Sequence, residues 1–166
     1  MKHTIFIFLL ALLSFTLFIS CTGDEECRKE KYVKLGVGFY KKTFSETTKK
    51  YTSSSISIDS LTIQGIDTAG LLIDSLVYNN SKKISKLYLP LNKFVAISRF
   101  RVTFNETIDT VSILHSNSDL YLSLECGCLK VHTIDTVLTT NHFIDSISIN
   151  NHNVININAE HLQIYN

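Results

Sequence analysis

Residues 32–40 read Tyr-Val-Lys-Leu-Gly-Val-Gly-Phe-Tyr, and they alternate without a break. Val33, Leu35, Val37 and Phe39 share one face, while Tyr32, Lys34, Gly36, Gly38 and Tyr40 share the other. A period of two is that of a half-buried strand. Further strand-like segments follow at 56–66, 71–78, 84–91, 96–104, 110–115, 120–126, 131–138, 143–149, 154–159 and 162–165. Leu87, Leu89 and Leu91 share a face, as do Phe100, Val102 and Phe104, and the single proline, Pro90, falls near a strand end where a missing backbone donor does least harm. No window of this region carries apolar residues at helical spacing. An all-β, antiparallel sandwich, immunoglobulin-like in general architecture, is therefore expected, in preference to a barrel.

Two connections complete that expectation. Lys41 to Ser55, rich in Lys, Ser and Thr, reads as a long solvated loop suited to a crossing between sheets. Asn150, Asn151, His152 and Asn153 separate two alternating apolar stretches, so Ile147 to Ile157 reads as a hairpin.

The chain opens differently. Lys2 gives a basic start, Ile5 to Ile19 form a nearly uninterrupted apolar run, and Ser20 precedes Cys21. The run has the length of a signal core and falls short of the roughly 20 apolar residues of a spanning helix. Asp24, Glu25 and Glu26 then form an acidic collar. The pattern resembles a bacterial lipoprotein box with lipid attachment at Cys21, although Phe18 stands where Leu is usual. The acidic collar resembles the surface-display signal of Bacteroidetes lipoproteins. The expected organisation is a signal peptide at 1–20, a short acidic tether at 21–26 and one domain at 27–166. Thr22 to Glu26 span at most roughly 17 Å when extended, so such a domain would work against the membrane surface.

Charge excludes one class of partner. Loss of residues 1–20 removes Lys2 from the 16 Lys and Arg and leaves the remainder balanced against 15 Asp and Glu. A neutral domain offers no electrostatic basis for nucleic-acid binding.

With Cys21 lipidated, Cys27, Cys126 and Cys128 remain. Cys126 and Cys128 share parity with Leu120, Leu122 and Leu124, which points at least Cys126 toward the core. An exported location permits a disulfide. Cys27 with Cys126 is the most economical pairing, worth roughly 4–5 kcal/mol for so long a loop. Cys27 with Cys128 is the alternative partner choice, and a bond between Cys126 and Cys128 would be strained. The competing reading makes Cys128, with Cys126 and His132 or His142, a set of soft-metal ligands in a metal-handling or enzymatic protein. A lone Cys-Gly-Cys without a second cysteine pair carries little weight for that.

Six times an Ile-Asp pair precedes Ser or Thr, at Ser60, Thr68, Ser75, Thr110, Thr136 and Ser146. Asp and Ser or Thr side chains bond nearby backbone and suit bends and strand entries. With the small or aliphatic residue that follows, each copy also resembles the O-glycosylation acceptor of exported Bacteroidetes proteins, for which Ser60, Thr68 and Thr110 are the first candidates. No nucleophile elbow, phosphate loop, zinc-protease motif or calcium loop is present. No catalytic residue, metal or cofactor is therefore expected. Tyr32, Tyr40 and Tyr121 oppose their apolar rows, either as cross-strand packing or as a sugar or peptide platform, and the absence of tryptophan weighs against the platform.

Several ordered features together resemble a family of small Bacteroidetes lipoproteins, domain-of-unknown-function family 6452. They are Cys21 and its collar, Cys27, Phe39-Tyr40, Leu89-Pro90-Leu91, Asp119 to Leu122, Cys126-Gly127 and Ile164-Tyr165. The resemblance implies that Cys27 and Cys126 are the paired cysteines, with Cys128 an addition, and it implies no activity. The reading that follows is a non-enzymatic, lipid-anchored module at the outer membrane, surface-exposed, that binds or assembles an envelope protein or glycan partner.

Overall fold

The computed structural model describes residues 33–124, 126–155 and 158–166. These residues form strands and connections with no helix. The expected all-β sandwich is observed as two open sheets. One contains β1 (Leu35–Ser45), β2 (Lys50–Ser55), β5 (Lys86–Leu89), β9 (Ser146–Ile149) and β11 (Leu162–Tyr165). Its order is β2-β1-β11-β9, with β5 also paired to β1. The other contains β3 (Leu61–Ile66), β4 (Leu72–Ser81), β6 (Ile97–Phe104), β7 (Thr107–Ser123), β8 (Gly127–Thr139) and β10 (Asn153–Val154), in the order β10-β8-β7-β6-β3-β4. All pairings but one are antiparallel. The exception joins the first and last strands, β1 and β11, in parallel.

Alternation explains the core. Leu35, Val37 and Phe39 of β1 meet Leu61 and Ile63 of β3, Phe100, Val102 and Phe104 of β6, and Val111 and Ile113 of β7 in one buried cluster. Phe39 and Phe104 join the sheets edge to face, with centroids 5.9 Å apart.

Four expectations are corrected. Lys41 to Ser55 is a hairpin, not a loop: the end of β1 pairs with β2 from Tyr40↔Ser55 to Ser45↔Lys50. All six β2 residues are exposed, so neither face needed apolar residues and the sequence carried no period. The sheet crossing comes later, between Ser55 and Leu61.

The second correction concerns Asn150 to Asn153. β9 pairs with β11, whereas β10 pairs with β8, so this stretch carries the chain between sheets and closes no hairpin. Asparagine suits either path, and local turn chemistry cannot tell them apart.

Third, the segments at 110–115 and 120–126 are one 17-residue strand, β7, running through the polar stretch His115 to Ser118. Fourth, Cys126 lies in the turn between β7 and β8 and is only half-buried, while Leu124 beside it is 95% exposed. Gly127, at φ +71, supplies the left-handed backbone that this hairpin end requires. The Cys-Gly-Cys pattern thus has a local conformational reason.

Candidate functional site

Strand β6 runs between two buried polar systems. Near its Phe104 end sits Asp109, opposite Val102 on β7 and fully buried. Its Oδ1 accepts the Thr140 hydroxyl at 2.7 Å and the His142 N–H at 2.8 Å. Its Oδ2 accepts the N–H groups of Phe143 at 2.8 Å and Ile144 at 3.0 Å. Burial alone would raise the carboxyl pKa, but these donors outweigh it and hold the group at about 2. Asp109 therefore ties the loop after β8 onto the sheet, and Phe143 stacks on Phe104 with centroids 4.2 Å apart.

Near the Ile97 end, polar residues occupy inward positions of otherwise apolar rows. Ser98 shares the face of Phe100 and Val102, and His115 shares that of Val111 and Ile113; both are buried. Asn117 Nδ2 donates to the Val95 carbonyl at 3.1 Å, which fixes the amide so that Oδ1 accepts. That oxygen lies 3.0 Å from His115 Nδ1 and 2.7 Å from His132 Nδ1. Both rings therefore carry their proton on Nδ1, and His115 Nε2 accepts from the Ser98 hydroxyl at 2.9 Å. Ser98 Oγ in turn accepts the Asn92 N–H at 2.8 Å. The two rings meet edge to face, 5.1 Å apart. Burial pushes both imidazole pKa values down, and for His132 the charges of His115, Lys93 and Lys130 add to that effect and bring it to about 4. The pair is neutral at physiological pH.

Ser98 and Asn92 also form part of the wall of a groove of about 280 Å³. Ile73 and Val77 of β4, Leu91 after β5, and Ile97 and Phe100 of β6 give it an apolar interior. Gly65 leaves room there, since a Cβ at that position would lie 2.9 Å from Ile73 Cδ1. Asp67 and Thr68, in the turn between β3 and β4, also line it. A concave, mainly apolar site with a few placed polar groups is the usual form of a binding site. Its signal in the sequence was Ser98, a polar residue on an apolar row. His115 and Asn117 looked like a break in a strand.

The expected residues fall as follows. Cys21 and Cys27 lie outside the described residues, as does Tyr32. Cys128 is free and exposed, whereas Cys126 is not free. The described residues contain no group of three or more His, Cys, Asp or Glu side chains that could hold a metal. His132 is engaged by Asn117, and His142 lies beside Asp109, so neither joins Cys128 in a site. Of the Ser and Thr candidates, Thr68, Ser75 and Thr136 are exposed, while Ser60, Thr110 and Ser146 are half-buried. Ser60 donates to Asn80 Oδ1 at 2.6 Å. The aspartates before Thr68 and Thr110 bond backbone N–H groups, Asp67 that of Leu71 and Asp109 those of its loop, so at these two copies the local role is filled. Tyr40 donates to Glu160 at 2.8 Å and packs beside Tyr165, and Tyr121 is 59% exposed.

No curated protein and no solved structure matches the chain. The model of a family of unknown function, DUF6452, matches residues 60–166, a stretch that holds the buried histidine pair, the Asp109 clamp and every residue of the groove. The chain belongs to that family.

Proposed function

We propose that this protein is a non-enzymatic, lipid-anchored module of the cell envelope that binds or helps assemble a partner at the outer membrane, through the groove at the Ile97 end of β6. In this reading Cys21 carries the lipid, and a disulfide between Cys27 and Cys126 pins the start of the domain to the tip of the β7–β8 hairpin. Support for that pairing is that Cys126 is engaged while Cys128 is free. The observation that carries the binding reading is the groove itself, an apolar cavity of about 280 Å³ whose polar floor is already hydrogen-bonded.

One arrangement favours a second reading. Ser98 Oγ, His115 Nε2 and Asn117 Oδ1 stand in the order and spacing of a nucleophile, its base and an orienting group. Three features weigh against catalysis. Ser98 is only 6% exposed, and burial weakens His115 as a base. Amides of the loop before β6 are also engaged: Asn92 N–H with Ser98, and Phe94 and Val95 N–H with Asn92 Oδ1. None of these three is left to stabilise an oxyanion.

Photocrosslinking in intact cells tests the binding reading. A photoreactive phenylalanine at Ile73, in the groove, is expected to give a discrete adduct, and the same residue at Tyr51 on β2 is expected to give none. Equal labelling at the two positions, or none at Ile73, would contradict it. A fluorophosphonate that labels Ser98 and spares Ser98→Ala would instead establish the catalytic reading.

A further inference from the structure

Resting on the groove as the binding site, we propose that its ligand is an extended segment of a partner protein, with aliphatic and basic residues alternating, which adds as a strand to the free edge of β4. β4 is the last strand of its sheet: one flank pairs with β3 and the other has no partner among the described strands. Unpaired edges are ordinarily protected by lysine, proline, bulges or cover, and of these β4 has the register irregularities of its pairing with β3. β4 has no lysine and no proline, and its first six residues are Leu-Ile-Asp-Ser-Leu-Val. Leu72, Ile73 and Leu76 are each more than 40% exposed.

The edge and the groove are continuous. Ile73, Ser75 and Val77 of β4 line the groove together with Pro90, Leu91 and Asn92. A strand laid along β4 would cross this mouth, and every second side chain, at intervals of roughly 6.8 Å, could enter. The cavity lies just under the roughly 300–1,000 Å³ usual for small-molecule sites, a size better suited to aliphatic side chains than to a cofactor. Backbone pairing would then supply affinity, and the groove would choose the residues.

Charge selects the remaining positions. Asp74 is the one charged residue of β4, and Asp67, in the turn before that strand, lines the groove. Among the described residues neither takes part in an ion pair. Lysine or arginine at the outward positions of the incoming strand would meet Asp74, which has the opposite parity to the groove-lining Ile73, Ser75 and Val77. Asp74 also opposes a second copy in the register centred on it, where antiparallel pairing of β4 with itself would set the two aspartates face to face.

The probe is the peptide acetyl-Lys-Val-Lys-Leu-Lys-Val-Lys-Leu-amide, titrated into the full chain while amide hydrogen exchange is followed. Exchange at residues 72–77 is expected to slow at least tenfold, with no change in β2. Methylating the peptide nitrogens along one edge, or substituting Ile73→Lys, should each weaken binding at least tenfold, and an unchanged melting temperature for Ile73→Lys shows that the fold is kept. Absence of protection at β4, or equal binding of the methylated peptide, overturns strand addition. So does a doubling of particle mass without peptide that Ile73→Lys abolishes, because the edge then pairs with a second copy. A cellular adduct at Ile73 without peptide binding would keep the groove as the site and remove strand addition alone.

Discussion

The two ends of β6 are finished in opposite ways. Past Phe104, an aromatic stack and a buried carboxylate draw the 140–144 loop across the sandwich. At Ile97 the sheets part around a groove, and the polar groups beneath it pair with one another and with nearby backbone. The chain is thus able to close an end of its sandwich. Where it leaves one open, the buried polar groups below are nevertheless satisfied, so the opening does not carry the penalty of orphaned donors. The closed end is structural, and the open end carries the proposed binding site.

The largest effect should come from breaking the closed end. Asp109→Ala would strand the N–H groups of His142, Phe143 and Ile144 and the Thr140 hydroxyl. A loss of about 3–5 kcal/mol is expected in urea denaturation. Asp109→Asn should also destabilise, because its NH2 would face a pair of donors. Near-wild-type stability in either variant would show that the closed end does not depend on this charge.

Acid should separate the ends by pH. His115 and His132 have folded pKa values below the ordinary 6.5, so the unfolded chain takes up their protons first. Stability from the pair is full above pH 6.5 and falls as the pH drops toward 4, by about 3 kcal/mol for the shift at His132. Asp109, depressed from 3.8 to about 2, contributes above 3.8 and is lost only between those values. Unfolding free energy measured from pH 7.5 to 3 should therefore decline first through the histidine window. His132→Gln should flatten that part of the curve and leave the Asp109 part in place; an unchanged slope would remove the histidines from the account.

Smaller effects sharpen the open end. Ser98→Ala leaves the Asn92 N–H without its acceptor and should cost about 1–2 kcal/mol. Gly65→Ala should cost less than about 1 kcal/mol, since the added carbon meets the movable end of Ile73. It would nevertheless narrow the groove, so binding should fall while the melting temperature barely moves. Parallel loss of both would mean that Gly65 serves packing alone.

What the sequence revealed follows burial. β3 and β6 each bury an aliphatic or aromatic face and keep a polar one, and in β1 aliphatic residues alternate with the buried glycines Gly36 and Gly38, so their alternation was visible. β2 buries neither face and looked like a loop. Within β7 the inward residues change from Val111 and Ile113 to His115, so one strand looked like two. β9 and β10 part at a run of asparagines that says only that the chain bends. Apart from Ser98 the groove had no local signature, because β4 and the 90–92 segment meet only in three dimensions. The histidine pair was hidden for a related reason. His132 stood out as a candidate metal ligand, yet its partners Asn117 and His115 come from the neighbouring strand through register.

The most direct test of the open end as the binding site is hydrogen exchange by mass spectrometry, comparing the protein in membranes isolated from its native cells with the purified chain. Slower exchange in the native membrane at residues 72–77 and 90–97, with β2 and the 140–144 loop unchanged, is the predicted result. Identical exchange in the two preparations, or protection confined to β2, would contradict it.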